Sequence, residues 1–182
     1  MIDFSPEQTL RPVDERIAAE RSPRRRALLE NFREHLLAEL AGDVDRIMKT
    51  QCAEPRYHFY GNGSGDFGPK GQGEVRGFYE NIFALGYNKL RYDIERFVVD
   101  DDALFNEGFM HIVFPGSALV AMGLAVDDPS AKYVFSYRQA AIFHYDAAGE
   151  CTGEDTYSDG PLTLERLRRL EPAEEATLPA GV

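Results

Sequence analysis

The sequence predicts an α+β fold in which three helices pack on a curved, mainly antiparallel β-sheet and close with it into a cone. Two patterns carry this expectation. Apolar residues recur at helical spacing in segments between Pro23 and Leu85, and from Lys89 onwards they alternate along long runs separated by turn signals. Helices followed by a strand meander is the order in which helices cover one face of an antiparallel sheet. At 182 residues the chain suits one domain with a sizeable core. That domain is placed at residues 23–160, after a flexible arm over 1–22 and before a short helix and disordered acidic tail over 161–182.

Met1 to Ser22 is polar and charged and holds Pro6 and Pro12, so it reads as a loose arm with a short helix over Val13 to Ala19. From Pro23, a favoured first-turn residue, Leu28, Leu29, Phe32, Leu36, Leu37 and Leu40 form a helical stripe that Gly42 ends. Asp43 is an N-cap for a second short helix through Val44, Ile47 and Met48. Pro55 forces extended backbone, and Arg56 to Tyr60 is a strand. The glycine-rich stretch Gly61 to Pro69 matches neither phosphate-binding loop pattern and reads as a turn. A third helix spans Gly73 to Leu85, with Val75, Phe78, Tyr79, Ile82 and Phe83 on one face.

Lys89 to Val99 and Leu104 to Phe114 form a hairpin around Asp100-Asp101-Asp102, whose spacing is that of an exposed turn and not of a calcium loop. The apolar connection from Gly116 to Ala131 has the length of a lid or interface element. Lys132 to Tyr145 and Cys151 to Tyr157 form a last hairpin across Asp146 to Gly149. An amphipathic turn over Leu162 to Leu170 and a Pro-, Glu- and Ala-rich tail complete the chain.

A net charge of −11 opposes nucleic-acid binding, and the basic cluster Arg21 to Arg26 reads as a solvated helix start. No apolar run has the length of a membrane span, and no leader pattern opens the sequence, which predicts a cytoplasmic protein. Cys52 and Cys151 are far apart without metal-ligand spacing, so no metal or disulfide is expected.

Pairing the last hairpin about Ala147-Ala148 puts Tyr137, Gln139, Ala141 and Phe143 on one face with Glu154, Thr156 and Ser158. Arg138, His144, Asp155 and Tyr157 share the other face. On the preceding strand Glu107, Phe109 and His111 share one face and Met110, Ile112 and Phe114 the other; either set can point inward.

The stretch Gly71 to Tyr79, a glycine-led helix with a Val and an aromatic pair, and the hairpin Asp146 to Asp159, with Gly149 at its turn and Tyr157-Ser158-Asp159 at its exit, resemble the nuclear transport factor 2-like superfamily. Within it they are similar to the SnoaL-like branch of polyketide cyclases, ketosteroid isomerases and dehydratases, over about Leu28 to Asp159. The resemblance implies a cone-shaped apolar pocket, no cofactor and a homodimer through the convex sheet face. It also implies pocket positions for Gln139, Tyr137, Phe143 and Glu154, the last as leading carboxylate, and for Tyr60 with His58 beside it. His35 falls where the isomerases carry a hydrogen-bond donor, against the plainer reading of a core-edge helix histidine. His111, with Phe109 beside it, is either a pocket or a convex-face residue. The isomerases' second carboxylate falls on Ala141, a departure from their design.

These residues suggest a cofactor-independent lyase, isomerase or cyclase that moves protons on a hydrophobic polyketide, steroid or terpenoid. Glu154 is the base, with Tyr60, His58 and His111 as further acid–base candidates and His35, Gln139, Tyr137, Phe109 and Phe143 as substrate contacts. The alternatives are a non-catalytic binding or dimerisation module, and an epoxide hydrolase using Asp155 and Arg138 should the opposite face line the cavity.

Overall fold

A computed structural model of the protein describes residues 1–60 and 66–179. Helices α1 (Pro6–Ala19), α2 (Pro23–Ala41) and α3 (Val44–Lys49) lead into strand β1 (Gln51–Tyr60) and helix α4 (Gly71–Ala84). Strands β2 (Leu90–Val99) and β3 (Ala103–Pro115), the short helix α5 (Gly116–Ala121), and strands β4 (Lys132–Tyr145) and β5 (Cys151–Ser158) follow. A 3-10 turn at Leu164–Arg166, strand β6 (Leu167–Arg169) and helix α6 (Pro172–Glu175) come last.

The sheet runs β1-β5-β4-β3-β2, with β6 beside the start of β4. All pairs are antiparallel except β1 with β5. The three expected helices are α2, α3 and α4. Asp43 caps α3 by accepting from the Arg46 amide at 3.0 Å. Gly42 ends α2 at φ 68°, a left-handed conformation that glycine adopts without steric cost.

The arm and tail depart from expectation. Residues 6–19 form one helix that Pro12 does not break, and Phe4, Leu10 and Val13 are buried. Those three apolar side chains in a polar segment supply the burial that holds it. The anticipated helix over Leu162–Leu170 is instead a 3-10 turn and a strand pairing with β4, and the tail up to residue 179 is packed. Glu174 is 1% exposed, accepting from the Ile2 amide at 2.7 Å and pairing with Arg168 at 2.6 Å. A buried carboxylate so paired orders a segment that composition alone describes as disordered.

The basic cluster is also more than a solvated helix start. Arg24 Nε donates to the Asp101 carbonyl at 2.7 Å and its Nη2 to the Asp146 carbonyl, while Arg25 pairs with Asp100 and Asp101. Two residues of α2 therefore hold the tips of both hairpins. The Gly61–Gly65 part of the glycine-rich turn lies outside the described residues. In the anticipated lid, Gly116–Ala121 is helical and buries Leu119 in the core, and Met122 borders the cavity described next.

Candidate functional site

The concave face of the sheet and the helices above it enclose a cavity of about 380 Å3, within the size range of small-molecule sites. Phe32 and Leu36 of α2, Phe78, Tyr79 and Ile82 of α4, and Leu90, Met110, Ile112, Phe135 and Phe143 of the sheet make its wall apolar. Their direction follows from strand alternation, which sends Met110 and Ile112 inward and Phe109 and His111 outward.

Two carboxyl groups open into this wall, Glu154 from β5 and Glu39 from α2. Burial pushes Glu154 up to about 7, and the Thr156 hydroxyl, donating to its Oε1 at 2.5 Å, pulls partly against that. Burial, and then the charge of Glu154, push Glu39 up to about 8. Two acids facing one low-dielectric space resist losing both protons, so between about pH 7 and 8 the pair holds close to one proton. Gln139 accepts from the Tyr137 hydroxyl at 3.1 Å, and both border the cavity.

His35 stands behind the wall. It is 2% exposed. His35 Nδ1 lies 3.2 Å from the Thr50 hydroxyl, which donates to the Ile47 carbonyl at 2.7 Å, and 3.3 Å from Gln51 Nε2, while its Nε2 meets Tyr79 Oη at 3.0 Å. Burial pulls His35 down to about 4, so the ring is neutral at pH 7. Its effect on the cavity is indirect, through its hydrogen bond with the hydroxyl of Tyr79, which lines the wall.

Neither a protein-family model nor a curated protein matches this chain. Solved structures do. A candidate SnoaL-like polyketide cyclase from Shewanella putrefaciens CN-32 superposes with a TM-score of 0.62 at 13% identity, over 81% of this chain and 88% of that one. A second candidate polyketide cyclase of this kind, from Jannaschia sp. CCS1, gives 0.58 at 15% identity over 77% and 90%. The chain has the SnoaL-like, nuclear transport factor 2-like fold. A Mycobacterium tuberculosis protein crystallised with estradiol-17β-hemisuccinate also shares it, with a TM-score of 0.55 at 16% identity over 78% and 98%. At such identities the likeness is one of fold, a scaffold that carries many chemistries.

Within the SnoaL-like cone, Glu154, Gln139, Tyr137 and Phe143 border the cavity as expected. The last hairpin pairs Gln139 with Ser158 and Phe143 with Glu154, two residues from the anticipated register. A shift of two keeps every side chain on its face. Tyr60 reaches the cavity only at its rim, its ring stacked on Tyr157 at 4.8 Å.

Three expected site residues lie elsewhere. Parallel pairing sets Tyr57 beside Glu154 and Phe59 beside Thr156, which turns His58 outward to Asp66, 2.5 Å away. The inward pair on β1 is thus one residue earlier than anticipated. His111 faces the convex side, where it meets Ser136 Oγ at 2.7 Å and Asp93 at 3.4 Å. Phe109 is beside it, 39% exposed, with the Arg138 guanidinium over its ring. Asp155 pairs with His144 and Arg138 with Glu107 and Glu95 on that same side, so neither serves an epoxide-opening site.

Sequence reasoning missed Glu39, although its signal was present. It lies seven residues after Phe32 and three after Leu36, a carboxylate on the pocket stripe of α2.

Proposed function

We propose that this protein is a cofactor-independent proton-transfer enzyme, a lyase, isomerase or cyclase, acting on a hydrophobic small molecule in the cone. The observation carrying this reading is the pairing of Glu39 and Glu154 across one apolar cavity. Glu154, the more acidic and steadied by Thr156, takes a proton from carbon beside a carbonyl. Glu39 keeps its proton to higher pH and delivers it to the substrate at a second position. An apolar wall suits a polyketide, steroid or terpenoid skeleton. The complex of the Mycobacterium protein with a steroid ester supports that ligand class and equally supports the second reading, a binding module without turnover. A homodimer through the convex face, where Phe109 and Val98 are exposed, belongs to the same proposal.

The test uses 5-nitrobenzisoxazole, an apolar heterocycle that opens when a base removes its ring proton. We expect the wild-type protein to accelerate opening and Glu154→Gln to lose roughly a hundredfold or more of that rate while keeping its circular dichroism spectrum. A folded Glu154→Gln variant as fast as wild type would refute catalysis and leave the binding module.

A further inference from the structure

The inner face of β3 presents Leu104, Asn106, Met110 and Ile112, so a carboxamide interrupts an apolar stripe. Asn106 is 1% exposed and borders the inner part of the cavity. Its Oδ1 accepts from the Tyr92 hydroxyl at 2.6 Å, whereas Nδ2 has no hydrogen-bond partner among the described residues. Turning the amide over would idle both Oδ1 and the Tyr92 hydroxyl hydrogen, so the orientation in which Tyr92 donates satisfies more groups. Idle buried N–H groups are rare in folded proteins. An acceptor atom on whatever fills the inner end supplies the missing partner.

We propose that Asn106, oriented by Tyr92, anchors an acceptor oxygen, a carbonyl or hydroxyl, of the ligand. The sheet register places Asn106 relative to Glu154. Asn106 pairs with Ala141, and Ala141 with Thr156, so the three form one row across β3, β4 and β5. Glu154 is the next inward residue along β5. Two strand spacings separate Asn106 from Thr156, about 10 Å. Ala141 between them is buried in the core and does not border the cavity. The ligand is therefore an apolar molecule that carries an oxygen within reach of the Asn106 amide. The inference rests on the proposed apolar-ligand pocket and not on catalysis.

Fluorescence titration of the full chain with 2-acetylnaphthalene and 2-isopropylnaphthalene, nearly equal in shape and differing in the carbonyl, tests it. We expect Asn106→Leu to weaken the ketone relative to the hydrocarbon by roughly tenfold. Asn106→Leu alone strands the Tyr92 hydroxyl, so Tyr92→Phe/Asn106→Leu, which removes both partners, gives the same ratio in a fold-neutral background. An unchanged ratio in folded variants overturns the anchor while the pocket stands. Failure of both probes to bind the wild-type protein overturns the pocket reading and the anchor with it.

Discussion

Glu39 and Glu154 set the pH behaviour of the molecule as well as its proposed chemistry. A carboxyl in the unfolded chain ionises around 4.5, whereas in the cone these two hold their protons to about 8 and 7. The folded state binds protons more tightly, so stability falls as pH rises from 4.5 through 7 and 8, and the loss is complete above. An amide in place of the acid removes that loss. Glu39→Gln is expected to melt with wild type at about pH 4 and clearly above it at about pH 9, measured by calorimetry. A melting difference that does not grow with pH would mean that Glu39 is solvated in the folded state. His35 shows why residue roles are harder to read than residue positions. Its place on α2 is plain from the helical stripe, but its hydrogen bonds come from Thr50 and Tyr79, on separate segments.

At the level of elements, strand alternation and both hairpin pairings were legible, while the register of the last hairpin and the partner of β1 were not. Period-two patterning put Glu154, Gln139 and Phe143 on one face, and a register error of two left that intact. β1 carries no comparable pattern. Tyr57, His58, Phe59 and Tyr60 are all aromatic, so only the parallel pairing with β5 decides that Tyr57 and Phe59 face in. The direction of His111 was equally open, since polar and apolar sets on β3 alternate with similar regularity. The helix α2 does more than cover the sheet, because Arg24 reaches carbonyls at the tips of both hairpins. Arg24→Ala is expected to cost about 1–3 kcal/mol in urea denaturation. It should also raise amide exchange at Asp101 to Ala103 and at Asp146 to Gly149, and exchange unchanged at one tip would show that the guanidinium holds only the other.

For the whole molecule, the two faces of the sheet divide the labour. The concave face holds the cavity, and the convex face carries ion pairs, Arg138 with Glu107 and Glu95 and Arg96 with Glu107, around the exposed Phe109. If that face joins two copies, Phe109→Glu places a carboxylate beside Glu107 and Glu95 and converts a dimer to a monomer in sedimentation velocity, without altering the cavity. An identical sedimentation coefficient for variant and wild type would move the interface elsewhere or abolish it. The α+β class and the cone followed from the order of helices and strands. The packed ends did not, because buried Phe4 and Glu174 are ordered by partners at the opposite end of the chain.

The parallel join of β1 to β5 has a further consequence, for biosynthesis. Phe59 emerges from the ribosome early, and its neighbour Thr156 much later, after most of the cavity wall. Until then β1 has not met β5, and the apolar wall of the cavity is incomplete. The cone is therefore completed late in synthesis, and the exposed apolar wall is open to chaperone binding until then.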